Sequence, residues 1–156
     1  MQTTMIVLID NGHGRETPGK RSPDGRLREY AWTREVAQRI VGELMRRGID
    51  AHLLTPEQED IPLRERVKRV NDICRLYGKQ NVLLVSIHNN AAGADGRWHA
   101  ARGFAVYVSN NAGDGSRRLA AEFYAGAKAR GLTGNRATPP HGFWQARTDS
   151  HAVISA

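Results

Sequence analysis

His13, Glu29 and His88 are the residues whose types and surroundings best suit chemistry. His13 stands in Asp10-Asn11-Gly12-His13-Gly14, just past an apolar run. His88 directly follows another apolar run, and Glu29 heads an amphipathic stretch. Two imidazoles and one carboxylate are a recurrent catalytic zinc set that leaves a fourth position for water. The ion would lower the pKa of that water toward ~7 and polarise a scissile carbonyl. Glycines on both sides of His13 allow the backbone a close approach. A loop histidine, however, is more often a surface or capping residue than a ligand, so residue types alone leave both readings open.

The elements that must position these groups follow from periodicity. Residues 5–10 (MIVLID) read as a buried strand ending at Asn11-Gly12. A loop rich in Gly, Pro and Arg runs from Gly12 to about Arg26. Helical spacing of Val36, Ala37, Ile40, Val41, Leu44 and Met45 begins near Glu29 and stops at Gly48. Residues 49–54 suit a second strand. Pro62 opens a helix with the stripe Leu63, Val67, Val70, Ile73 and Leu76/Tyr77, closing at Gly78. Residues 82–87 (VLLVSI) are the most apolar run and the expected central strand, buried on both faces. Residues 104–108 suit a further strand, and 116 to about 130 a helix ended by Gly131. Residues 134–150 have no clear period, and 151–155 suit the start of one more strand.

This alternation predicts an α/β fold, a three-layer sandwich with a mainly parallel central sheet flanked by helices. In such sheets the loops leaving the C-terminal ends of the strands gather at one edge, where ligands bind. His13 and His88 both leave that edge. Glu29 lies seven and eleven residues before Val36 and Ile40, which places it at the N-terminal end of the core-facing helical stripe, beside the same edge.

The 156 residues suit one domain, and 40% hydrophobic with 25% charged residues is ordinary for a folded chain, which argues against disorder. The net charge of +7 steers toward polyanions, among them nucleic acid, anionic lipid and acidic wall polymers. Much of the excess falls on expected helices, at Arg34, Arg39, Arg46, Arg47, Arg64, Arg66, Lys68 and Arg69, and reads as solvated helix faces. With neither zinc-finger spacing nor an RNP-like aromatic motif, nucleic acid is not an expected partner. Cys74 is the single cysteine, which rules out an intramolecular disulfide and a thiolate zinc cluster; its helical neighbours mark it as a small buried hydrophobe. The opening residues carry no signal-peptide pattern, and no apolar run approaches the roughly 20 residues of a membrane span.

Several motifs together resemble the zinc-dependent N-acetylmuramoyl-L-alanine amidases of amidase type 3. Residues 6–14 (IVLIDNGHG) are similar to the strand and Asp-Pro-Gly-His-Gly that open that domain, with Asn11 in place of the proline. Leu27-Arg28-Glu29 before an amphipathic helix resembles the glutamate ligand position. Arg66, five residues before Asn71, resembles an Arg and Ala-Asn signature, with Val70 in place of the alanine. Ser86-Ile87-His88-Asn89-Asn90-Ala91 resembles Ser-Ile-His-x-Asn-Ala, and Gly103-Phe104 a Gly-Phe that opens the next strand.

The resemblance runs in order from residue 5 to about 135. It implies a zinc site at His13, Glu29 and His88, with Asp10, Arg66, Asn71 and Asn90 as supporting or substrate-contacting residues. It further implies hydrolysis of the amide between N-acetylmuramic acid and L-alanine in peptidoglycan, at the cell wall, periplasmic or extracellular. Family members close with a strand carrying a general-base glutamate; here the sequence reaches Val153-Ile154-Ser155-Ala156 with no matching residue. Glu16, Glu35 and Glu122 match it by type but not by position. The expectation is one catalytic domain over residues 1–156, truncated before its final strand, with the base beyond Ala156.

Other readings share parts of this pattern: a module that binds peptidoglycan without cutting it, or a related zinc peptidase or deacetylase. Trp98 and Trp144 suit stacking on a sugar or covering the core edge. Arg102, Arg136 and Arg147 suit carboxylate binding. His99, His141 and His151 read as surface residues, while His52 and Trp32 read as structural.

Overall fold

The computed structural model describes residues 5–90, 92–93 and 95–146. The chain divides into two compact units, Met1–His88 and Asn89–Ala156. The first contains β1 (Ile6–Asn11), α1 (Glu29–Arg46), β2 (Asp50–Leu53), α2 (Leu63–Tyr77) and β3 (Val82–Ile87), with a short 3-10 turn before β3. Its three strands run parallel in the order β2-β1-β3. Strands, helices and the parallel sheet thus follow the alternation in the sequence, an α/β architecture.

Within this sheet β1, not β3, is the central strand. All six residues of β1 are buried, whereas Val82, Leu83 and Leu84 of β3 are only partly so. Apolarity marks a strand for burial but says nothing about how many neighbours it pairs with. Ile6 and Leu8 form a core with Leu54, against which Val70 and Ile73 of α2 pack. The rest of the expected α2 stripe does not join it: Leu63, Val67, Leu76 and Tyr77 stay exposed. α1 packs along β1 and β2, with Thr33 and Ala37 fully buried.

Register positions the chemistry. Asn11 pairs with Ile87, so β1 and β3 end level with one another. The next backbone step is also shared, because the Gly12 N–H donates to the Ile87 carbonyl at 2.9 Å. His13 and His88 therefore emerge at one edge.

The second unit contains β4 (Tyr107–Ser109), α3 (Asp114–Ala129) and β5 (Trp144–Ala146). β4 and β5 pair in parallel. Val106, Val108, Ala120 and Phe143 form its core. β4 is shorter and later than residues 104–108, and β5 lies in the stretch without evident period. The strand expected at 151–155 lies outside the described residues. Among the described residues no helix is long and apolar enough to cross a membrane.

Candidate metal centre

Glu29 is the first residue of α1. The loop before it folds back so that the Glu29 N–H reaches the Lys20 carbonyl at 3.0 Å, with Arg21 and Arg28 bridged. This hairpin-like return brings the head of α1 to the strand edge. Glu29 is buried there, where the helix dipole favours a negative charge.

The three candidate donors converge. His88 Nδ1 lies 3.2 Å from His13 Nε2 and 3.2 Å from Glu29 Oε1. The third edge of the triangle, His13 Nε2 to Glu29 Oε1, is 3.5 Å. The two rings meet edge-on, with centroids 4.8 Å apart. A tetrahedral site with bonds of about 2.0–2.1 Å spaces its ligands about 3.3–3.4 Å apart, so these edges suit one small divalent cation. The imidazole side chains are 20% and 21% exposed, leaving the cluster open on one side. Burial, the largest influence, lowers the pKa of His13, and the charges of His88 and Lys20 act the same way against the opposing pull of Glu29 and Asp60. A lowered pKa favours the neutral ring, the form that binds metals.

The glycines beside His13 are required by neighbours. A Cβ on Gly12 would lie 2.4 Å from the His88 ring, and one on Gly14 would lie 2.0 Å from the Asp60 backbone. His13 itself has φ +64°, the only non-glycine residue in the left-handed region among those described. Two consecutive residues of α1 hold that turn. Thr33 Oγ1 donates to the Gly12 carbonyl at 3.0 Å, and Arg34 donates to the His13 carbonyl at 2.9 Å.

Asp10 and Arg66 form a buried pair at 2.6 Å beneath the turn. Ser86 donates to the other Asp10 oxygen, while Arg66 also holds the Asn11 and Ile61 carbonyls. They support the turn through its backbone. Asn71 does not join them: it is exposed on α2, five residues and so about 140° around the helix from Arg66. Asn90, two residues past His88, is likewise exposed.

Other expectations fare unevenly. Arg34 and Arg66 are not solvated helix faces but buried. Cys74 is only partly buried. His52 is exposed and pairs with Asp50, and Trp32 is 36% exposed. Trp98 is largely exposed; His99 bonds Asp95, and His141 meets Phe143 edge-on. Arg102 is exposed and Arg136 partly buried, while Arg147 and His151 lie outside the described residues. Glu16 accepts from the Asp60 N–H and Glu35 pairs with Arg39, so both are engaged elsewhere. Glu122 lines an open groove of about 270 Å³ in the second unit, with Phe104, Phe123 and Arg130.

Comparison with known proteins extends the geometry. A stretch of 108 residues, 69% of the chain, is 31% identical to the N-acetylmuramoyl-L-alanine amidase AmiC of Neisseria meningitidis serogroup B; the match spans only 23% of that protein. The catalytic domain of CwlV, an N-acetylmuramoyl-L-alanine amidase from Bacillus (Paenibacillus) polymyxa, shares the fold. Its TM-score is 0.68 at 22% identity, over 92% of this chain and 70% of that one. An N-acetylmuramoyl-L-alanine amidase from Clostridium difficile 630 gives a TM-score of 0.66 at 26% identity, over 79% and 62% of the two chains. The family profile described as N-acetylmuramoyl-L-alanine amidase matches residues 7–155, across both units. The chain belongs to the N-acetylmuramoyl-L-alanine amidase family.

Proposed function

We propose that His13, Glu29 and His88 hold a zinc ion and that residues 1–156 act as an amidase catalytic domain. Its substrate is the amide between N-acetylmuramic acid and L-alanine in peptidoglycan, and its place of action is the cell wall. The observation that carries this reading is the donor triangle, whose edges of 3.2, 3.2 and 3.5 Å suit a single tetrahedral cation.

Zinc in such a set supplies Lewis acidity, polarising a carbonyl and acidifying water. The chain's own residues prepare for that role. His13 presents a neutral ring because burial disfavours its proton. Glu29 contributes the one negative charge of the donor set from the first turn of α1. Asp10, Arg66, Thr33 and Arg34 fix the backbone that carries His13.

One observation favours a second reading, a module that binds peptidoglycan without cutting it. The cluster holds a single carboxylate, already spent as a donor, so a separate base must come from another residue. Loss of a general base typically costs 10²–10⁴-fold in rate.

The test compares the wild-type chain with His88→Ala. The wild type should hold one zinc and release stem peptides bearing an L-alanine amino terminus from purified sacculi; the variant should lose both. Zinc uptake and sacculus binding without peptide release would favour the second reading. A folded wild type that takes up no zinc would defeat the enzyme reading.

A further inference from the structure

Arg34 is 6% exposed, yet no carboxylate among the described residues lies within ion-pair distance of its guanidinium. It is satisfied by main-chain oxygens instead. Nε and Nη2 donate to the Glu57 carbonyl at 2.8 and 2.6 Å, and Nη2 reaches the Glu59 carbonyl at 3.4 Å. Nη1 donates to the carbonyls of His13 at 2.9 Å and Tyr30 at 3.1 Å. The guanidinium also lies over the Tyr30 ring, 5.5 Å from its centroid, but its N–H groups all go to carbonyls, and such a planar fork fixes backbone by setting the direction of each oxygen.

The backbone it fixes needs fixing. His13 sits in the left-handed region at φ +64°, which a residue with a Cβ enters only when its surroundings impose it. Relaxation to the ordinary regions would swing the His13 side chain away from its present direction. Arg34 stands on the same rigid helix as Glu29, one turn and a half further on. The helix that presents the carboxylate donor therefore also grips the residue bearing an imidazole donor.

We propose that Arg34 is a positioning residue for the metal centre, holding the His13 carbonyl so that the His13 imidazole faces Glu29 and His88. The proposal rests on the reading of those three residues as metal ligands. It goes beyond that reading by assigning affinity to a group that touches none of the donor atoms.

The test uses the whole chain as wild type, Arg34→Met, Arg34→Lys and a control, Arg69→Met. Arg69 also holds a main-chain carbonyl, that of Leu54, and pairs with Glu57, but does not reach His13. Far-UV circular dichroism and thermal unfolding of the metal-free proteins report folding. Chelator competition gives the zinc affinity, and the visible bands of the cobalt-loaded proteins report the ligand geometry. Loss of an outer partner of a metal ligand typically costs 10–100-fold in affinity.

Arg34→Met should fold and lose about that much, with altered cobalt bands; Arg34→Lys should recover part of the loss. Arg69→Met should lose less than the roughly 10-fold that marks loss of an outer partner. An Arg34→Met protein that folds and binds zinc like the wild type overturns the proposal. So does an Arg69→Met protein that loses as much as Arg34→Met, or failure of both Arg34 variants to fold, since the contacts would then serve the fold and not the site. Failure of the wild type itself to hold zinc defeats the metal-centre reading, and is seen before any variant is compared.

Discussion

His88 follows β3 with no intervening loop, whereas His13 stands two residues beyond β1 in a long connection leading to Glu29. The two imidazoles meet at one point but are held in different ways. His88 inherits its place from a six-residue parallel ladder and from the Gly12 N–H bonded to Ile87. His13 has left the ladder, adopts a left-handed turn, and depends on the side chains of Thr33 and Arg34, twenty and twenty-one positions away in sequence. A ligand at a strand end comes with the sheet; a ligand in a loop needs a separate clamp.

That contrast is sharpest at Gly12, where the two regions touch. Gly12→Ala would bring a Cβ to 2.4 Å from the His88 ring, so the ring or the turn that carries His13 must shift. Zinc affinity measured by chelator competition should fall by about 100-fold, the upper end of the range for a metal ligand that loses its support. Affinity within threefold of wild type would show that the ring is free to move and that the two regions are not locked together.

Next in size is the buried pair beneath the turn. Asp10→Ala leaves the Arg66 guanidinium buried without its closest carboxylate. Breaking a pair of this kind costs about 3–5 kcal/mol, which denaturant unfolding of the metal-free protein would register. Asp60, 3.4 Å from Arg66, can take over some of the charge, which places the expected cost at the lower end. A change below about 1 kcal/mol, the level of a surface pair, would show that Asp10 does not anchor the His13 side of the site.

The smallest effect is the pH dependence of the metal-free protein. Burial lowers the pKa of folded His13 below its unfolded value of 6.5. In the interval between the folded and unfolded values the unfolded chain binds more protons, so stability rises with pH there. The contribution is complete above 6.5 and is lost as pH falls through the folded-state value. The slope from one proton is at most about 1.4 kcal/mol per pH unit. His13→Gln should flatten this part of the unfolding profile, and a profile left unchanged would remove His13 as its source.

The difference between the two histidines also explains what could be read in the sequence. The strand before His88 and the apolar run before His13 were both legible, because short apolar runs ending in polar residues mark strand ends. Glu29 was legible from its distance to Val36 and Ile40 along the helix stripe. The clamp was not, because arginines on amphipathic helices default to the solvent face. Yet a signal existed. Arg34 stands three residues before Ala37 and seven before Val41, and Arg66 four before Val70 and seven before Ile73. Both therefore lie on the apolar stripes and not opposite them.

Pairing was less legible than burial. As the most apolar run, residues 82–87 are the expected central strand, but β1 takes that place. Three-residue β5, reading Trp-Gln-Ala, is too short to show alternation. Motif resemblance groups Asn71 with Arg66, but helical geometry turns it to another side.

X-ray absorption at the zinc edge of the metal-loaded chain reads directly whether His13, Glu29 and His88 share one ion. The expected spectrum shows one zinc with nitrogen and oxygen neighbours at about 2.0–2.1 Å, and an imidazole scattering pattern from two rings. In His13→Ala that pattern should fall to one ring. An all-oxygen shell in the wild type, or a spectrum unchanged by His13→Ala, would contradict it.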